Sequence, residues 1–194
     1  MPSKPLGPIG NEVRSYFVSR SQASALPSTT KPCEAPSGEY WVHAFAPPGV
    51  EPENSNAIGK WLIRMGCPYV EKYWGFIRDA VERGELGISA KIATDWGRVN
   101  DPTGPWRNHV VCVYTRDWRD EGDVLRVAAR LHQIGAVSKM QLTYKPDIFT
   151  FGGTYEGNSP GDVAIYKCKP PYLELLVEDT NRAAARSMLK AAER

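Results

Sequence analysis

Asn108-His109-Val110-Val111-Cys112-Val113-Tyr114-Thr115-Arg116-Asp117 lies in the middle of the chain and sets the frame for the elements on either side. Its β-branched and apolar run, preceded by Asp101-Pro102-Thr103-Gly104-Pro105, reads as a buried strand too short for an ordinary core helix. Strand side chains alternate, so Val111, Val113 and Thr115 point one way while Cys112, Tyr114 and Arg116 point the other. One face can therefore pack on helices. The other ends in a phenol and a guanidinium two residues apart, a pair suited to an anion because arginine offers a planar fork of donors and tyrosine adds a neutral one. The same pair also fits ordinary surface contacts at a strand end.

Outward from this strand, Tyr40–Phe45 reads as a first strand stopped by Pro47-Pro48-Gly49, and Gly59–Met65 as a second with Trp61, Ile63 and Met65 on one face and Lys60, Leu62 and Arg64 on the other. Val70, Tyr73, Trp74, Ile77, Ala80 and Val81 keep helical spacing, which predicts an amphipathic helix over Pro68–Arg83 closed by Gly84. Between Gly87 and Asp95, alternation sets Ile88, Ala90 and Ile92 against Ser89, Lys91, Ala93 and Asp95. A lysine inside a strand is unusual, and its ordinary role is to protect an edge strand from aggregation. A second helix follows over Glu121–Ile134, with Gly135 as its stop. Met140–Thr150 is extended around Tyr144-Lys145-Pro146-Asp147, and a turn is signalled at Tyr155–Gly161. Val163–Cys168 reads as the last strand, and a helix over Thr180–Ala192 is capped by Asp179. Strand pairs alternating with single helices predict an α+β domain, a curved and mostly antiparallel sheet backed by about three helices.

Residues 1–39 are rich in proline and serine and bury little, so they are expected to form an arm, partly disordered, ahead of a single domain over 40–194. A 194-residue chain that is 42% hydrophobic suffices for one substantial core, and a net charge of +2 gives no global argument for nucleic acid or an acidic membrane. No apolar run approaches the roughly 20 residues of a membrane span, so the expectation is a soluble cytoplasmic protein. The cysteines at 33, 67, 112 and 168 form no Cys-x-x-Cys pair. Reduced thiols, no structural metal and no cofactor are expected.

Tyr144-Lys145-Pro146-Asp147-Ile148-Phe149-Thr150-Phe151, with Gly153-x-Tyr155 after it and Val110–Tyr114 before it, closely resembles the basophilic-leukaemia-expressed protein family, over Gly59 to Cys168. That resemblance implies a fold like the cap-binding translation initiation factor. A more distant resemblance is to the phosphothreonine lyases of bacterial effectors and lanthipeptide synthetases, carried by Gly59-Lys60-Trp61-Leu62-Ile63, Lys91-Ile92-Ala93-Thr94-Asp95 and Tyr114-Thr115-Arg116 in the same order. It implies a carbon–oxygen lyase that eliminates phosphate from a phosphorylated peptide or protein. Lys91 is then the general base, and Lys60, Tyr114 and Arg116 are phosphate contacts. Leu62 replaces the lyases' general-acid histidine, leaving His43 on the neighbouring strand as the alternative acid. Lys145 is a further candidate anion contact. Like charges around Lys91 would lower its pKa and supply a neutral amine near pH 7.

The competing expectation is a binding module without chemistry, taking a nucleotide, a cap-like structure or a phosphopeptide. Cap-binding factors stack a cationic base between two tryptophans. Trp61 and Trp74 fall on apolar faces, which leaves Trp96 and Trp106 in the 96–107 loop as the ligand-facing candidates.

Overall fold

The computed structural model of the chain describes residues 17–101, 105–137, 141–151, 163–169 and 172–194. The Tyr155–Gly161 turn lies outside these residues. Among them the strands are β1 (Trp41–Phe45), β2 (Gly59–Met65), β3 (Ser89–Ala93), β4 (His109–Thr115), β5 (Leu142–Pro146), β6 (Tyr166–Lys169) and β7 (Tyr172–Val177). They make one curved sheet in the order β1-β3-β4-β2-β5-β6-β7, with each neighbouring pair antiparallel. Three longer helices, α1 (Cys67–Glu82), α3 (Glu121–Gln133) and α5 (Asp179–Ala192), are joined by two short ones, α2 (Asp95–Val99) and α4 (Asp147–Phe151).

This is the predicted α+β architecture with one strand more. Tyr172–Val177, beyond the strand predicted to be the last, pairs antiparallel with β6. The Met140–Thr150 segment is extended only to Pro146, after which Asp147 opens α4.

Alternation fixes the faces. Ala90 and Ile92 of β3, Val111 and Val113 of β4, and Trp61 and Ile63 of β2 form one core with Val70, Trp74 and Ile77 of α1 and Val124, Val127 and Leu131 of α3. Both helix stops are glycines with positive φ, 72° at Gly84 and 73° at Gly135, as the sequence predicts. On the opposite face Cys112 and Tyr114 cluster with Ile58 and Ile88, against Phe17, Val50, Leu62 and Val110. Ile88 thus leaves the face assigned to it by alternation, because β3 begins only at Ser89. At Gly87 the chain passes so close to β4 that a Cβ would stand 1.8 Å from the Tyr114 carbonyl oxygen, so only glycine fits.

Residues 17–39 are irregular, with one 3-10 turn at Arg20–Gln22, but they pack on the domain. The Trp74 indole donates to the Ser28 carbonyl at 3.1 Å and the Asp95 amide to the Pro32 carbonyl at 3.0 Å. Leu26 and Cys33 lie against the main core, and the Phe17 ring meets Tyr114 edge-on at 5.6 Å. These contacts use lone carbonyls and isolated apolar residues, which leave no periodic signal in the sequence. Among the described residues no helix is long and apolar enough to cross a membrane.

Deleting residues 1–36 is expected to lower the melting temperature markedly, since it uncovers the Trp74 edge and the core surface under Leu26 and Cys33, at about 25 cal/mol per Å² of apolar area. A thermal melt of the truncated chain that coincides with the full-length melt would contradict this packing.

Candidate functional site

The inner face of the sheet carries charge in its middle. Register sets Ser89 opposite Tyr114, Tyr114 opposite Lys60 and Lys60 opposite Lys145, with Lys91 opposite Cys112 and His43 on its two neighbouring strands. Lys60, Lys91, Tyr114 and Lys145 are all buried there. The ammonium groups of Lys60 and Lys91 lie 5.6 and 5.9 Å from the centroid of the same Tyr114 ring. Three of the four residues aligned by the lyase resemblance therefore converge.

Arg116 does not join them. It stands one residue past the end of β4 and is exposed, whereas the other three are buried. Lys60 is also differently employed than expected. It forms a fully buried ion pair with Asp147 and donates to Thr150 Oγ1 at 3.1 Å. The second oxygen of Asp147 accepts the backbone N–H of Phe17, which draws the arm across this face. A buried ammonium must be paired, and here α4 supplies the carboxylate immediately after β5. Asp147 carries no role in the sequence pattern beyond its place in Tyr144–Phe151. Pro146-Asp147 is the legible signal, a strand stop followed by a helix-starting acid.

Lys91 occupies the floor of a cleft of about 490 Å³ between the arm and β1, whose walls include Ser24, Glu39, Tyr40, Trp41 and His43. Its ammonium lies 4.4 Å from the Trp41 ring centroid. Burial, aided by the charge of Lys60 and opposed by Cys112 and Asp147, brings its pKa down to about 7. The direction matches the sequence expectation, but desolvation rather than like charge is the main cause. Because the folded value falls below the ordinary 10.5, the unfolded chain binds the extra proton between the two, and this group's contribution to stability rises with pH from about 7 to 10.5.

His43 does face the cleft, stacked on Phe45 with ring centroids 6.0 Å apart. Burial first, and the Lys91 charge second, hold its pKa down to about 3. At neutral pH the imidazole is uncharged, which suits a hydrogen-bonding group better than a general acid. Leu62 sits on β2 directly opposite Cys112 and brings no proton donor to the face.

The tryptophans predicted to face a ligand, Trp96 and Trp106, are not in the cleft lining, although Trp96 backs one of its walls. Trp96 meets Tyr40 edge-on at 4.7 Å, and Trp106 lies under the Arg64 guanidinium at 5.4 Å. Trp41, which sequence reading left unassigned, is the indole in the cleft wall, and Trp61 and Trp74 are core residues as predicted. Among the described residues, the side chains spaced to hold a metal ion lie outside this cleft, at Cys33, Asp95 and His109.

Replacing Asp147 with leucine should destabilise the fold by about 3–5 kcal/mol, because Lys60 is then a buried charge without its carboxylate. Lys60→Met combined with Asp147→Leu should recover much of that loss. Denaturant unfolding of wild type, Asp147→Leu, Lys60→Met and the double variant checks this, and additive losses in the double variant would contradict a direct pair.

Comparison with solved structures gives a fold likeness. Schistosome eIF4E complexed with m7GpppA and 4E-BP matches with a TM-score of 0.50 at 15% sequence identity, over 71% of this chain and 74% of that one. C. elegans eIF4E-3 in complex with the 4E-binding protein Mextli and a cap analogue gives a TM-score of 0.43 at 20% identity, covering 58% of this chain. The match spans 65% of the nematode protein, just under two thirds of its length. At such identities what is shared is the initiation factor-like fold, a curved antiparallel sheet backed by helices. The family model described as basophilic leukemia-expressed protein Bles03 matches residues 53–153, just over half of the 194-residue chain, and the chain belongs to that family.

Proposed function

We propose that this protein is a binding module that takes a phosphate-bearing ligand in the cleft between the arm and β1. The observation that carries this reading is a buried lysine at the floor of an open cleft with aromatic walls, Tyr40 and Trp41. An anion beside Lys91 raises the pKa that burial lowers, so proton uptake and ligand binding reinforce one another. The two rings and the neutral imidazole of His43 suit a flat aromatic group attached to the phosphate, and a nucleotide is the ligand class with both. A cap-like nucleotide is within this class. The likeness to initiation factors adds only the precedent of the fold.

Elimination of phosphate from phosphothreonine is supported by the lowered pKa of Lys91 and by Tyr114 beside it. Against it, Lys60 is paired with Asp147, Arg116 stands past the end of β4, and Leu62 brings no proton donor. Binding without chemistry is therefore the better supported reading.

Calorimetry and tryptophan fluorescence with a methylated cap analogue, an unmethylated nucleotide, and a peptide with and without phosphothreonine test it. A nucleotide should bind with proton uptake near pH 7, and Lys91→Met should weaken binding by about 1.5–3 kcal/mol, the worth of a hydrogen bond to a charged group. Equal affinity of Lys91→Met and wild type would overturn the site. Preference for the phosphopeptide, with a dehydrated residue detected by mass spectrometry, would instead establish the lyase.

A further inference from the structure

Four potential ligating groups from separate parts of the chain meet at the end of β4 away from Tyr114. His109 is fully buried, and its Nδ1 lies 2.7 Å from the Ala93 carbonyl oxygen. A carbonyl can only accept, so Nδ1 donates to it and Nε2 is the ring nitrogen that can ligate. Around Nε2 stand Cys67 Sγ at 3.5 Å, Cys33 Sγ at 3.8 Å and Asp95 Oδ1 at 3.3 Å. Cys33 Sγ, Asp95 Oδ1 and His109 Nε2 also lie within 4.8 Å of one another. A thiol proton can bridge one sulfur to the Nε2 lone pair, and a protonated Nε2 can donate to Asp95, but neither arrangement also engages both sulfurs. A cation at their centre does.

The distances select the kind of cation. Zinc bonds of about 2.3 Å to sulfur and about 2.0–2.1 Å to nitrogen or oxygen, at tetrahedral angles, put sulfur and nitrogen about 3.5 Å apart and nitrogen and oxygen about 3.3 Å apart. The three separations measured from Nε2 are of that size; Cys33, Asp95 and His109 are mutually close, and Cys67 completes the set by a turn of its exposed side chain. Two thiolates, an imidazole and a carboxylate form a soft, four-coordinate set suited to zinc rather than calcium or magnesium.

We propose that Cys33, Cys67, His109 and Asp95 bind one zinc ion. On binding, both thiols release their protons to solvent as two zinc–sulfur bonds, one zinc–nitrogen bond and one zinc–oxygen bond form. The resulting single negative charge is met by Arg98, whose Nε donates to Asp95 Oδ1 at 2.7 Å. An outer shell is already in place: Ala93 orients the imidazole, and Glu71 accepts the Cys33 backbone N–H at 3.2 Å. The role is structural, because the ligands tie the arm at Cys33 to the first turn of α1, to α2 and to β4, fixing the segment that walls the cleft. The ligand set leaves no local motif in the sequence, which is why the cysteine spacing argues for no metal. It does not depend on what the cleft binds.

The test is titration of the reduced full-length chain with cobalt(II) and then zinc. One equivalent of cobalt should produce the visible bands of a tetrahedral ion together with thiolate-to-metal charge transfer, and one equivalent of zinc should abolish both. Cys33→Ser and Cys67→Ser should each lower zinc affinity by more than the 10–100-fold typical of losing an outer-shell partner, while Cys168→Ala keeps one equivalent. Alkylation of the wild type provides a second readout that needs no variant to fold: zinc should protect Cys33 and Cys67, and a chelator should restore their reaction. A cobalt spectrum without charge transfer, unchanged alkylation of Cys67 in zinc, or zinc affinity in Cys67→Ser equal to wild type would overturn the proposal.

Discussion

A lysine sealed inside a sheet obliges the chain to bring it a carboxylate, and much of the inner face is arranged around how Lys60 obtains one. Asp147 follows the last residue of β5, so the strand that pairs with β2 also delivers the counter-charge. The short helix it opens supplies Thr150 as a further acceptor. The remaining capacity of Asp147 is taken by the amide of Phe17, whose ring then covers Tyr114. Removing either charge alone strands the other in a dry interior, the costly case for buried ions. The pair thus joins β2, β5, α4 and the arm.

That pairing also decides what the face can do. With Lys60 occupied and Tyr114 roofed by Phe17, the centre of the face is closed, and access shifts to its β1 edge. Lys91 is the charged group that connects the two regions, reaching from the Tyr114 ring to the Trp41 ring in the cleft wall. Its low pKa reflects that position, buried from water yet next to a space large enough for a ligand. The arm determines the depth of this space, so its packing bears on recognition as well as stability.

Much of this is legible in the sequence where one period dominates. The alternation in His109–Thr115 and the helical spacing from Val70 to Val81 give the sheet, its two faces and the helix behind it. The convergence of Lys60, Lys91 and Tyr114 follows from alternation as well, since residues of one parity on neighbouring strands share a face. What alternation cannot carry is closure. Asp147 and Phe17 reach the site through a single-turn helix and an irregular arm, and neither has a periodic signature. Arg116 shows the converse limit: its parity is right, but β4 ends before it, and an unpaired residue is no longer bound to the face.

The central claim is that Lys91 is an ammonium made labile by burial and placed to meet an anion. Nuclear magnetic resonance of the labelled lysine side chains, with Lys91→Met assigning the signal, measures this directly. In the free protein the Lys91 resonance should titrate at about 7, and a saturating phosphate-bearing nucleotide should move that midpoint upward. A midpoint near the ordinary 10.5, unaltered by the nucleotide, would contradict the account.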